Sequence, residues 1–214
     1  MTHPFSEPER HWTMIDPEMN QIAPKDEPQT PAMSDATLRY LLPSVLAMGL
    51  VVLVSNIAVQ YPVSDALVGG GLPLSDWLTW GAFTYPLAFL VTDLTNRLFG
   101  AKAARRVVYV GFACGVILSI IFADLRIAAA SGSAFLIAQL LGVFVFDKLR
   151  QMSWWKAPLI SSLCGSIIDT ALFFSLAFAG TGLPWVTWAI GDFAAKLLIA
   201  GVALAPFRLI SVWA

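Results

Sequence analysis

Beyond about residue 35 the chain alternates long apolar runs with short polar connections, and the runs share one length. They cover about residues 40–60, 80–99, 106–123, 125–146, 157–179 and 185–207. Each holds about 18–23 residues, enough to cross a bilayer at ~1.5 Å of rise per residue and far longer than an ordinary strand. The pattern predicts six membrane helices. The third and fourth runs meet around Ala123 and Asp124, so they form an antiparallel hairpin. The longest connection, 61–79, carries a flexible Gly69, Gly70, Gly71 spacer. It lacks the lysine ending and preceding strand of a phosphate loop.

Residues 1–35 are a different material. Six prolines and a surplus of acids interrupt any apolar period, which predicts a disordered tail. The tail has neither the basic start nor the unbroken apolar core of a signal peptide. The expected organisation is therefore a cytoplasmic tail, 1–35, and a six-helix all-α membrane domain, 36–214.

Composition agrees. Of the 214 residues, 57% are hydrophobic and 13% charged, and the mean hydropathy is +0.72. A soluble domain carries about 25% charged residues, so too few remain to cover a water-facing surface. The net charge of −1 gives no basic surface for nucleic acid. Cys114 and Cys164 lie within apolar runs without metal-ligand spacing, and both histidines fall in the tail. No metal or cofactor site is expected.

Basic residues set the expected orientation. Arg39, Arg97, Lys102, Arg105, Arg106, Lys148, Arg150, Lys156 and Arg208 all flank alternate connections or the chain ends. With six spans they share one side, which predicts that both termini are cytoplasmic. Most tryptophans lie near helix ends, as in an interfacial belt. Gly111 and Gly115, four apart, predict a close packing face within the chain or between two copies in a homodimer.

Polar groups inside the runs carry the chemistry. A bare carboxylate in hydrocarbon costs at least about 2.5–3.5 kcal/mol, so each must face protein, water or a ligand. Asn56 and Gln60 share a face of the first run. Asp93 lies with Thr92, Asn96 and Arg97 in the second, below Trp80, Phe83 and Tyr85. Gln139 sits in the fourth. Asp169 lies in the fifth, with Ser162 and Ser166 near its face. Asp192 and Lys196, four apart in the sixth, can pair. Arg126 opens the fourth run. Asp169 has no charged neighbour at helical spacing, so its partner must come from another helix or a ligand. Without a nucleophile elbow, metal cluster or cofactor fingerprint, the set favours binding over catalysis: carboxylates accept N–H groups, amides read carbonyl edges and aromatic rings stack.

The chain resembles the queuosine precursor transporters, also called the vitamin uptake transporter family. The resemblance runs from about residue 38 to the C-terminus. It rests on Ser55-Asn56 with Gln60, on Thr79-Trp80-Gly81-Ala82-Phe83, and on Thr92-Asp93-Leu94-Thr95 with Arg97 and Phe99-Gly100. It extends through Arg126, Gln139, Trp154-Trp155 with Ala157-Pro158, Asp169-Thr170 with Phe173-Phe174, and Asp192 with Lys196. An acid expected three positions after Gln139 is Gly142 here. The resemblance implies uptake of 7-cyano- and 7-aminomethyl-7-deazaguanine across a bacterial inner membrane, in a fold like the substrate-binding subunits of energy-coupling-factor importers. It further implies that Asp93 or Asp169 accepts the guanine-like N–H groups. Gln60 and Gln139 would read the other polar edges, Trp80 or Phe83 would stack, and Arg126 and Lys196 would balance charge. Three alternatives stand beside it: a binding subunit that needs a separate energising complex, a membrane-embedded enzyme, and a packing or interaction protein with no ligand.

Overall fold

The computed structural model describes residues 35–58, 61–65, 73–122 and 125–213. The tail, Gln60, the glycine spacer and the 123–124 connection lie outside the described residues. The side chain of Asn56 lies outside them too. All regular elements are helical: α1 (Asp35–Ala58), α2 (Gly81–Thr84), α3 (Leu87–Phe99), α4 (Ala101–Phe122), α5 (Leu125–Leu149), α6 (Lys156–Phe178) and α7 (Trp185–Trp213). Among them, α5, α6 and α7 are long and apolar enough to cross a membrane by length and composition.

Two boundaries differ from the sequence pattern. The second run is broken: α2 ends at Thr84, Tyr85 and Pro86 form a turn, and α3 begins at Leu87. Proline has no N–H for the ladder, and its ring crowds the preceding turn, so the helix restarts there. The third run starts earlier than expected, because Gly100 alone joins α3 to α4. Its φ of 86° is open to glycine, and its N–H donates to Asn96 O at 3.0 Å.

The outer faces are apolar and exposed, as lipid-facing helices require. Leu46, Leu50, Leu53 and Ile57 line one stripe of α1, while Met48, Val52 and Ser55 turn inward. One buried cluster joins α1, α3, α4 and α5 through Met48, Val52, Ala88, Ala104, Val107, Val108, Phe135 and Val143. A second, of Phe146, Ala157 and Phe207, ties α5, α6 and α7 at the end where the basic residues gather. There Arg97 donates to Arg150 O at 3.2 Å, and Arg208 lies 5.1 Å from the Trp154 ring centre. The expected gathering of positive charge at one end of the bundle therefore holds for these residues.

Small residues allow the closest approaches. A Cβ at Gly111 would lie 2.6 Å from Met48 Cγ, so this face packs α4 on α1 within the chain. A Cβ at Gly165 of α6 would lie 2.4 Å from Phe89 Cε1 of α3. The segment before α2 doubles back through a Pro62–Thr79 bridge and a 3-10 turn, Leu74–Asp76. Asp65 accepts from both the Ser75 N–H (2.8 Å) and the Ser75 hydroxyl (3.1 Å). This segment rests on α7, where a Cβ at Gly191 would lie 2.8 Å from Trp77 O.

Gly165→Ala is expected to destabilise the protein by about 1–3 kcal/mol through overpacking against Phe89. Gly49→Ala meets nothing within 4 Å and is expected to be neutral or mildly stabilising. Thermal unfolding of both variants in one detergent provides the comparison.

Candidate functional site

The inward face of α6 is a polar stripe. Ser161, Gly165 and Asp169 recur every four residues, and Ser162, Ser166 and Thr170 run beside them. All six are buried. The stripe meets α3 at one level and α7 at another, which makes two polar clusters stacked along the bundle.

The first cluster is ionic. Lys196 of α7 donates to Asp169 Oδ2 at 2.7 Å and to Thr170 Oγ1 at 2.9 Å, and it forms a second ion pair with Asp192 one turn earlier on α7. Thr170 in turn donates to Asp192 Oδ2 at 2.8 Å. The Tyr85 hydroxyl, from the break between α2 and α3, donates to Asp169 Oδ1 at 3.2 Å, and Lys196 Nζ lies 5.6 Å from the Tyr85 ring centre. Lys196 is only 3% exposed. An ammonium so placed is tolerated because its three donors meet acceptors and its charge meets two carboxylates. With both carboxylates ionised, the group carries one surplus negative charge.

The second cluster holds no cation among the described residues. The Asp93 carboxyl of α3 lies within hydrogen-bond distance of Ser161 Oγ (3.0 and 2.9 Å) and Ser162 Oγ (3.2 Å). The preceding residue faces α5: Thr92 Oγ1 donates to Gln139 Oε1 at 2.8 Å, while Gln139 Nε2 has no partner among the described residues. Exchanging the amide O and N would let Gln139 donate to Thr92, which already reaches Ala88 O at 3.0 Å. Either way Gln139 keeps one buried polar atom unmatched. Gly142 leaves a methyl's width of ordinary contact with Phe89 and with Ser161 O.

The sequence candidates thus fall into five groups. Asp169, Asp192 and Lys196 meet in one place, and the partner required for Asp169 is Lys196. Asp93 and Gln139 lie on the other level. Asn96 is fully buried and tied into the basic end: it donates to Val143 O at 3.0 Å and accepts from Arg150 at 2.8 Å. Arg126 donates to Leu176 O (2.9 Å) and Ala179 O (2.7 Å), so it closes the C-terminal end of α6, away from both clusters. Trp80 is exposed, its ring centre 6.0 Å from that of Phe83.

Ser161, Thr170 and Tyr85 complete the site and were not singled out for it. Their signals were the fourfold spacing from Asp169 and Asp93, and the proline after Tyr85.

Acids turned inward in a membrane bundle would be expected around one shared cavity; Asp93 and Asp169 are instead each held by neighbouring helices. A cleft lies beside them between α1, α4 and α5, lined by Val52, Tyr85, Phe112, Ser131 and Phe135 among others, with a volume of about 20 Å³. That is room for about one water, against roughly 300–1,000 Å³ for an ordinary ligand pocket. Tyr85 is shared between this cleft and the ionic cluster.

Apolar helices around buried charge, with a helix broken beside that charge, define a membrane protein of the solute-carrier kind. The family model described as "Putative vitamin uptake transporter" matches residues 79–124 and 122–210. A "Queuosine precursor transporter" of Escherichia coli K12 is 37% identical over 183 residues, covering 73% of this chain and 79% of that protein. A "Probable queuosine precursor transporter" of Haemophilus influenzae is 34% identical over 186 residues, with the same two coverages. The chain belongs to the queuosine precursor transporter family. No solved structure matches it, so the expected likeness to energy-coupling-factor subunits has no counterpart among these findings.

Lys196→Met is expected to cost about 3–5 kcal/mol, since it strands two buried carboxylates. Adding Asp169→Asn and Asp192→Asn to it should recover most of that loss. Chemical or thermal unfolding of the purified variants measures both.

Proposed function

We propose that this protein takes up the 7-deazaguanine precursors of queuosine, the 7-cyano and 7-aminomethyl compounds, across the bacterial inner membrane with both termini in the cytoplasm. The observation that carries this reading is the match to two relatives bearing that transporter name over 79% of their length. The ionic cluster supplies a matching chemistry. A guanine-like edge presents an N–H and an exocyclic amine on one side, and a carboxylate accepts such a pair.

Between Asp93 and Asp169, the second is the better recognition group. Asp169 adjoins the cleft through Tyr85 and is held there by a single hydroxyl. The entering ring displaces the Tyr85 hydroxyl, takes Asp169 Oδ1 and lies among Tyr85, Phe112 and Phe135. Those three rings stand in for the stacking role expected of Trp80 and Phe83. Lys196, itself paired with Asp192, holds the carboxylate in place, and the break at Pro86 lets α2 and Tyr85 move without unwinding α3. The described conformation is then the occluded one, with the guest's space filled by the protein's own side chains.

In cells unable to make the precursors, the protein should support uptake of labelled 7-cyano-7-deazaguanine. Asp169→Asn should reduce that uptake by about 10–150-fold at normal membrane abundance, the range for a hydrogen bond to a charged group. Wild-type uptake by Asp169→Asn would remove Asp169 from the site.

A further inference from the structure

Beyond the cleft, the ionic cluster and the basic end, one buried carboxyl group is left over among the described residues. The strongest remaining feature is Asp93. Its carboxyl is 2% exposed, in the bundle interior, with no cation paired to it among the described residues. The charged and titratable groups on the elements around it are committed elsewhere or exposed. Lys196 and Asp192 of α7 face Asp169 of α6, and Tyr85 faces the same carboxylate. Arg97 and Arg150 turn to backbone oxygens at the basic end. Lys102, Arg105 and Arg106 of α4, and Asp147 and Lys148 of α5, are exposed.

The hydroxyl protons decide how Asp93 is held. Ser161 Oγ has one proton, yet three acceptor oxygens lie within 3.0 Å: both Asp93 oxygens and Pro158 O. If Asp93 is ionised, Ser161 donates to it, and the 3.0 Å contact between Ser161 Oγ and Pro158 O holds no proton. If Asp93 carries a proton, the chain closes. Asp93 donates to Ser161, Ser161 donates to Pro158 O, and Ser162 donates to the other Asp93 oxygen. The neutral acid also avoids placing an unpaired charge inside the bilayer.

We propose that Asp93 is a proton-binding site, occupied in this conformation, and that its proton is the coupling ion for uptake. The coupling half rests on the transport reading above; the proton on Asp93 does not. The step is a simple binding equilibrium. A proton from the outer aqueous phase adds to a carboxylate oxygen, travels with the solute and leaves to the cytoplasm, and the carboxylate resumes its charge. Register couples the two levels. Phe89 lies one turn from Asp93 and one turn from Tyr85 on the same side of the chain, and its ring fills the gap left by Gly165 between Ser161 and Asp169. Phe89 thus stands between the two polar levels.

The test uses the full chain in lipid vesicles. Infrared spectra at neutral pH without substrate should contain a protonated-carboxyl stretch. Asp93→Asn should remove it, Ser161→Ala should displace it and Asp169→Asn should leave it. The serine variant keeps the test available if the asparagine variant folds poorly. Absence of any band sensitive to Asp93 or Ser161 would overturn the proposal. In the same vesicles, an inward-directed proton gradient should speed uptake of labelled 7-cyano-7-deazaguanine several-fold. Uptake indifferent to the gradient, with the band present, would overturn the coupling role. No uptake under any gradient, with the band intact, would upset the substrate assignment and uphold the proton on Asp93.

Discussion

An ammonium group inside hydrocarbon dictates much of this architecture. Lys196 has three donors and is buried, so α6 must present acceptors at its level and α7 must supply another one turn away. That requirement fixes the rotation of both helices about their axes. Once Asp169 and Thr170 face α7, the fourfold spacing of α6 turns Ser161 and Ser162 toward α3. Asp93 then has its only described partners. Breaking a buried charge group is far costlier than breaking an apolar contact, so the register of the interior is set by electrostatics and filled in by packing.

The broken second span follows from the same economy. A straight helix over 80–99 would place every side chain by one rotation. The turn at Tyr85 and Pro86 separates the two halves, so Tyr85 reaches Asp169 while Thr92, Asp93 and Asn96 stay buried against α5 and α6. Backbone irregularity at membrane depth is tolerated where protein buries it, and here it lies beside the ionic cluster. At the break, the Tyr85 hydroxyl meets the Asp169 carboxylate of α6 at 3.2 Å.

Much of this was legible in the sequence, and the limits have a physical cause. Span lengths follow from bilayer thickness, so five of the six runs kept their identity as single helices. Their ends shifted where Gly100 or the basic flanks continued the helical ladder. Asp192 and Lys196 were readable as a pair because four residues apart on one helix is a fixed geometry. The partner of Asp169 was only deducible as a necessity, since contact between helices depends on rotations that one sequence does not state. Ser161 was missed for that reason, and Tyr85 because a single apolar run hides a proline break. Arg126 looked like a counter-charge until its position at the end of α6 gave it backbone oxygens to cap.

The segment before α2 carries one more consequence. It is pinned to itself by Asp65 and the Pro62–Thr79 bridge, and it sits against α7 only because residue 191 has no side chain. Asp192 is the very next residue. A side chain at 191 would press on Trp77 beside the charged group, so the bare glycine lets the chain before α2 close against α7 next to its buried ion pair.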